Sequence, residues 1–162
     1  MKIKIFIDSS VFIAALLSET GGSAKVLNLC EVRILEGFIS RKVIEEVERN
    51  IGRKFPDLKP YFDRVLKNGK LIVSNIKSKN SVKIAEKLIS DKNDAPILAA
   101  AKSAKVDVLL TLDIRHFIRD PNVSKKSGLK IMTPGEFLQG FWKIVLNSLT
   151  QGIASLQIIR AS

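Results

Sequence analysis

Five short apolar runs punctuate the chain, at Lys2 to Asp8, Gly37 to Ser40, Leu71 to Ser74, Asp107 to Leu112 and Leu129 to Met132, each rich in Ile, Val and Leu. They are mostly continuous rather than alternating in polarity, which is what strands covered on both faces require. Segments with helical spacing lie between them, at 10–18, 23–32, 41–53, 59–68, 81–90 and 95–104, and a last long one starts near Pro134. This alternation predicts an α/β fold, a central parallel five-stranded sheet between helical layers in a three-layer α/β/α sandwich. Local signals sharpen two helix starts. Asn93 or Asp94 can cap the helix whose first turn holds Pro96, where a missing N–H costs nothing. Thr133-Pro134-Gly135-Glu136 has the spacing of a capping box. The stretches 77–81 and 120–128 read as polar loops, and there is no internal repeat or low-complexity tract.

Composition changes this picture in two respects. The 162 residues, 46% hydrophobic, suffice for one domain with its own core. Against 16 Asp and Glu stand 27 Lys and Arg, a net charge of +11, which points to a polyanionic partner such as nucleic acid. The single cysteine, Cys30, allows no intramolecular disulfide, and the opening Met-Lys-Ile-Lys-Ile has too short an apolar run for a signal peptide. No segment offers about 18 uninterrupted apolar residues, so no membrane span is expected and a cytoplasmic location is.

The candidate chemistry sits at strand ends. In a parallel α/β sheet the carboxyl ends of the strands open into the crevice where ligands bind. The first strand ends at Asp8-Ser9-Ser10, the fourth at Thr111-Leu112-Asp113, and Asp94 opens the helix that leads into the fourth. All three acids therefore fall on one edge. The helix after the second strand can add another: Val43, Ile44, Val47 and Ile51 mark its inner face, and the phase leaves Glu45, Glu46 and Glu48 all open. Each acid alone has a plain structural explanation, as a helix cap for the aspartates and a solvated helix position for Glu46. Ser10 and Thr111 alone could simply bond nearby backbone. Together they are harder to explain that way, because carboxylates gathered without Lys or Arg between them repel unless a cation neutralises them. Mg²⁺ or Mn²⁺ suits an all-oxygen site shared with substrate phosphates. Such an ion, or a pair about 3.5–4 Å apart, lowers the pKa of bound water and stabilises the leaving oxygen. Phosphodiester hydrolysis suits an acidic site on a basic protein.

Other chemistries are poorly supported. A serine or cysteine triad would depend on His116, the only histidine, and Cys30 lies beside Leu27 and Leu29 in a helical pattern where a core thiol is expected. Gly21-Gly22-Ser23 lacks both the phosphate-loop lysine spacing and the dinucleotide glycine pattern. Ser10 stands where a haloacid-dehalogenase-type phosphatase would carry a second aspartate.

The pattern resembles the PIN-domain superfamily of metal-dependent ribonucleases over about residues 3 to 138. The pieces that carry the resemblance are Ile5-Phe-Ile-Asp8-Ser-Ser10-Val-Phe-Ile, Ile39-Ser40 with Ile44-Glu-Glu46-Val47, Asp91-Lys-Asn-Asp94-Ala-Pro-Ile-Leu-Ala-Ala-Ala101, Leu110-Thr111-Leu-Asp113-Ile-Arg-His-Phe117 and the closing Ile131-Met-Thr-Pro-Gly-Glu-Phe137. The resemblance implies strand order 3-2-1-4-5 and cleavage of single-stranded RNA with Mg²⁺ or Mn²⁺. It carries the acidic positions onto Asp8, Glu46 (rather than Glu45), Asp94 and Asp113, with Ser10 and Thr111 positioning a ligand or water. VapC-type toxins, which pair with an antitoxin, and RNA-processing nucleases belong to this superfamily, so an antitoxin is an implied partner. Arg115, His116 and Arg119 follow Asp113 and could hold substrate phosphates, with Lys125, Lys126 and Lys130 close behind. Aromatics make up only 6% of the chain, so base stacking is not expected to dominate recognition. The chain departs from the pattern in a long stretch from Phe55 to Lys70 and in an apolar tail. The expected organisation is thus a nuclease domain over 1–139 and a helical extension over 140–162, packed on the domain or at an interface such as a homodimer. The competing class is a non-catalytic module of the same fold that binds RNA or a protein partner.

Overall fold

In a computed structural model the chain is described over residues 2–76, 78–118 and 121–161, with side chains throughout except at 116, 118, 121, 122 and 152–161. Five strands, β1 (Lys4–Ile7), β2 (Glu36–Ser40), β3 (Ile72–Ser74), β4 (Val108–Leu110) and β5 (Lys130–Met132), form one sheet in the order β3-β2-β1-β4-β5. Every pairing is parallel, with Ile5 opposite Gly37 on one side and Val108 on the other. Ile5, Phe6 and Ile7 are all fully buried. Successive strand side chains point to opposite faces, so both faces of β1 are covered and the continuous apolar run is explained. The outer strand β3 is short and leaves Ile72 and Val73 exposed, as sheet edges commonly are.

The helices are α1 (Ser9–Leu17), α2 (Gly22–Glu31), α3 (Arg41–Lys54), α4 (Lys59–Asn68), α5 (Lys79–Glu86), α6 (Ala95–Ala104), α7 (Pro121–Ser127) and α8 (Pro134–Ala161). Helix α1 packs on α2 and α3, α2 on α8, and α6 on α5, β2 and β3. The alanine run of α6 has a packing reason: Ala95, Ala99, Ala100 and Ala101 are buried, and small side chains let that helix lie close against the sheet. Gly37 in β2 is a second point of close approach, since a Cβ there would stand 2.6 Å from Leu71 Cδ2 and 2.8 Å from Cys30 Sγ.

Three elements depart from the expectation. The stretch read as a polar loop after Asp120 contains α7, in which Val123 is the one fully buried apolar side chain among the described residues, too little to create a helical period. Residues Ile114–Ile118 form one wide π-helical turn. Helix α8 runs without a break through Gly140, so residues 140–161 continue the helix that starts at Pro134. Its first turns bury Phe137 and Leu138, whereas Trp142, Ile144, Leu146 and Leu149 are exposed.

Candidate active site at the carboxyl edge of the sheet

Strand β1 ends against β4, where the Asp8 N–H donates to the Leu110 carbonyl at 3.1 Å. Asp8 is also the N-cap of α1, and its Oδ1 accepts the Ser9 N–H at 2.7 Å. Its Oδ2 accepts the Ser10 hydroxyl at 2.6 Å and the Thr111 hydroxyl at 2.8 Å. The carboxylate is nearly buried, at 3% exposure, and Thr111 is fully buried. With a longer bond from the Ser9 hydroxyl to Oδ1 at 3.4 Å, four donors converge on the two oxygens and fix the plane of the carboxylate.

Around Asp8 the hydroxyls form a relay that spans the two strands. Ser10 Oγ accepts the Leu112 N–H at 2.9 Å, and Thr111 Oγ1 accepts the Asp113 N–H at 3.0 Å. The two hydroxyl oxygens lie 3.4 Å apart. Ser10 and Thr111 thus orient Asp8 and shape the backbone that carries Asp113; the bond from the Asp113 N–H to Thr111 is the local backbone contact expected of that residue, whereas the bond from Thr111 to Asp8 depends on the register of β1 against β4. Ser9, whose N–H the Asp8 side chain caps, is a further contact, and an Asp followed by two serines at a helix start is the sequence signal for it.

The other acids reach the same edge by topology. A helix that follows a parallel strand begins at the carboxyl edge, and one that precedes a strand begins there too, because it must run back to the amino edge. Glu46 lies in the second turn of α3, which Ser40 caps by accepting the Val43 N–H at 3.3 Å. The burial pattern separates the three glutamates: Glu45 and Glu48 are exposed, Glu48 accepting the Lys59 ammonium at 3.0 Å, while Glu46 is half-buried beside Val43 and Val47. Glu46 Oε2 is fully buried and has no hydrogen-bond partner among the described residues. Asp94 occupies the N-cap position of α6, where its carbonyl accepts the Ile97 and Leu98 N–H groups but its side chain does not cap the helix. Asp113 opens the π turn and is half-buried.

A model of the PIN domain matches residues 4–115. The chain belongs to the PIN-domain family. This PIN domain is 26% identical to an uncharacterized protein of Methanocaldococcus jannaschii over 154 residues, 90% of this chain and 96% of that one. Its fold is similar to a chain of VapBC2 from Rickettsia felis bound to a DNA fragment from its promoter, with a TM-score of 0.60, 18% identity, and coverage of 81% of this chain and 98% of that one. It is also similar to Mycobacterium tuberculosis VapC20, a sarcin-ricin loop cleaving toxin, with a TM-score of 0.50, 15% identity, and coverage of 68% and 91%.

PIN domains are nucleases that generally use divalent metal ions, and the residues of this PIN domain can be tested against such an ion. The donor set is all oxygen, the chemistry a hard cation selects. A buried carboxylate oxygen without a partner, as at Glu46, is costly unless a cation or donor meets it. Among the described residues, however, no group of three or more Asp, Glu, His or Cys side chains is already gathered closely enough to hold a metal. The four acids share an edge and a donor chemistry but do not form a closed cage. Of the residues expected to contact phosphates, Arg115 is exposed on the π turn, the His116 side chain lies outside the described atoms, and Arg119 lies outside the described residues.

Proposed function

We propose that this PIN domain is a Mg²⁺- or Mn²⁺-dependent endoribonuclease that hydrolyses single-stranded RNA at the carboxyl edge of its sheet. The observation that carries the reading is the pairing of Asp8, locked by Ser9, Ser10 and Thr111, with the partnerless buried oxygen of Glu46 on the same edge. Asp8, Glu46, Asp94 and Asp113 would hold the ion, which when bound supplies an acidified water and charge stabilisation for the leaving oxygen. The chain's own contribution is positional. Ser10 and Thr111 hold the Asp8 carboxylate in one orientation at the edge. Arg115, His116 and Arg119, directly after Asp113, would bind phosphates and draw the RNA backbone over the acids.

The similarity to VapBC assemblies supports a toxin role with an antitoxin partner, and a small DNA-binding protein encoded beside this gene would support it further. Residues 1–139 would form the nuclease unit, and 140–162 an extension whose exposed Trp142, Ile144, Leu146 and Leu149 meet a second copy in a homodimer. The absence of a preformed metal cluster among the described residues favours one alternative, a module of the same fold that binds RNA or protein without turnover. Asp8→Asn and Asp94→Asn decide between them. Each variant should abolish Mn²⁺-dependent cleavage of a single-stranded RNA while remaining folded by circular dichroism; wild type that never cuts RNA with Mn²⁺ leaves the binding module.

A further inference from the structure

The opposite, amino edge of the sheet carries an unexpected backbone pattern. Each helix-to-strand connection there passes through a residue with positive φ: Arg33 (60°) before β2, Lys70 (51°) before β3, Lys105 (52°) before β4 and Gly128 (71°) before β5. Glycine adopts this left-handed conformation freely, whereas a long side chain is strained in it. Only the last connection uses glycine; the other three use a cation. Compensation of helix dipoles accounts at most for Arg33, since α2 carries no cation in its last turn, whereas α4 and α6 already carry Lys67 and Lys102 there, and α7 carries Lys125 and Lys126 yet ends in glycine.

The strand order converts these positions into a row. Across the edge run Lys70 at β3, Arg33 at β2, Lys2 and Lys4 at β1, Lys105 at β4 and Lys130 at β5. Four inter-strand spacings put its ends about 19 Å apart. Lys70, Arg33 and Lys2 line one cleft of about 280 Å³, Lys2 also borders a second cleft beside Lys130, and Lys105 borders a separate one with Lys102. Its countercharges are fewer: Glu36 stands 4.0 Å from the Lys4 ammonium, Asp107 accepts the Lys4 backbone N–H, Glu136 lines the cleft that Lys2 and Lys130 share, and Glu31 is exposed two residues before Arg33. Lys2, Arg33, Lys70, Lys105 and Lys130 are all exposed, and none forms an ion pair among the described residues.

The geometry points to a second nucleic-acid contact surface at the amino edge, formed by Arg33, Lys70 and Lys105 with Lys2 and Lys130, that grips the phosphate backbone of single-stranded RNA. A compact anion could meet only the part of the row around one cleft, whereas a flexible polyanion can follow its whole length of about 19 Å. The surface lies a full strand length, about 16 Å, from the acids, so it would anchor a flanking part of the RNA rather than the bond to be cut. It rests on the nuclease reading for the identity of the polyanion only, since gripping needs neither the acids nor a metal.

Substitution to glycine provides a test in which unfolding cannot mimic the result. The triple variant Arg33→Gly, Lys70→Gly, Lys105→Gly relieves three strained backbones, so its melting temperature should equal or exceed that of wild type. Its binding to a labelled single-stranded RNA, followed by anisotropy in EDTA, should weaken by about tenfold or more at 0.1 M salt, and the slope of log K against log salt should shrink by about 2. The triple variant Lys79→Ala, Lys83→Ala, Lys87→Ala, on α5 and its C-cap, removes the same net charge elsewhere and should lose much less. Unchanged binding by the glycine variant, equal losses in both variants, or displacement of RNA by polyglutamate as readily as by RNA would each overturn the proposal. Wild type that binds RNA by this surface yet never cuts it refutes the nuclease reading alone, and a glycine variant that cuts and binds like wild type refutes this one alone.

Discussion

A carboxylate becomes useful when its orientation is decided in advance, and Asp8 shows how few residues this takes. Its two oxygens receive one backbone N–H and three hydroxyls, one of them from Thr111 on the neighbouring strand. Thr111→Val keeps the shape but removes the donor to Asp8 and the acceptor for the Asp113 N–H. The loss should destabilise the protein by about 1–3 kcal/mol in chemical denaturation and lower RNA cleavage with little change in the RNA concentration needed for half-maximal rate. Cys30 offers a second check at this scale. Burial pushes its thiol up to about 12, so the reactive thiolate is scarce. A thiol reagent at pH 8 should leave native protein unlabelled and react at the rate of unfolding; prompt native labelling would contradict the buried placement of Cys30.

Elements succeed or fail here by how much apolar pattern they carry. Strands β1 and β4 were legible because every residue between Ile5 and Ile7 and between Val108 and Leu110 is buried, leaving no polar interruption. Helix α3 was equally plain from Val43, Val47 and Ile51, yet its phase alone did not distinguish Glu46, because the distinction rests on what lies beside the helix. Helix α7 and the π turn were illegible, since neither has a periodic face. At the start of α8 the capping box forms as its spacing indicates: the Thr133 N–H and hydroxyl donate to Glu136 Oε2 at 2.8 and 2.9 Å, and the Glu136 N–H donates back at 3.2 Å. The Thr133 backbone bond, then its hydroxyl, hold the Glu136 carboxyl below the ordinary glutamate range. A depressed pKa adds stability above the unfolded-state value and loses it as pH falls through the folded value. The melting temperature of wild type should therefore exceed that of Glu136→Gln at neutral pH, with the gap closing on acidification below the glutamate range; a gap constant with pH would refute the ionic contribution. Gly37→Ala tests packing at the other end of β2. The new methyl would press on Leu71 and the buried Cys30, and a loss of about 1–3 kcal/mol is expected in the same denaturation assay.

At the scale of the molecule, the α/β class, the strand order and the edge that bears the acids could all be derived from the pattern and the family resemblance, because parallel topology dictates which ends of the strands coincide. How closely the acids gather could not, since side-chain conformation is not encoded in a pattern of apolar and polar positions; among the described residues no three of them are gathered as metal ligands. If the edge takes a divalent ion, Mn²⁺ at a hundredfold excess over its dissociation constant should stabilise wild type by about 2.7 kcal/mol and Asp8→Asn by far less, as thermal unfolding would measure. Equal shifts in both proteins would exclude Asp8 as a ligand. Among the described residues no helix is long and apolar enough to cross a membrane. The bond between Thr111 and Asp8 joins positions 103 apart in a chain of 162. A ribosome must therefore deliver β4 before the Thr111 hydroxyl can reach Asp8, and a translation product ending ahead of that strand leaves the carboxylate to its local serine donors alone. Protein split between α6 and β4 would likewise regain the Thr111 bond only when the two fragments reassociate.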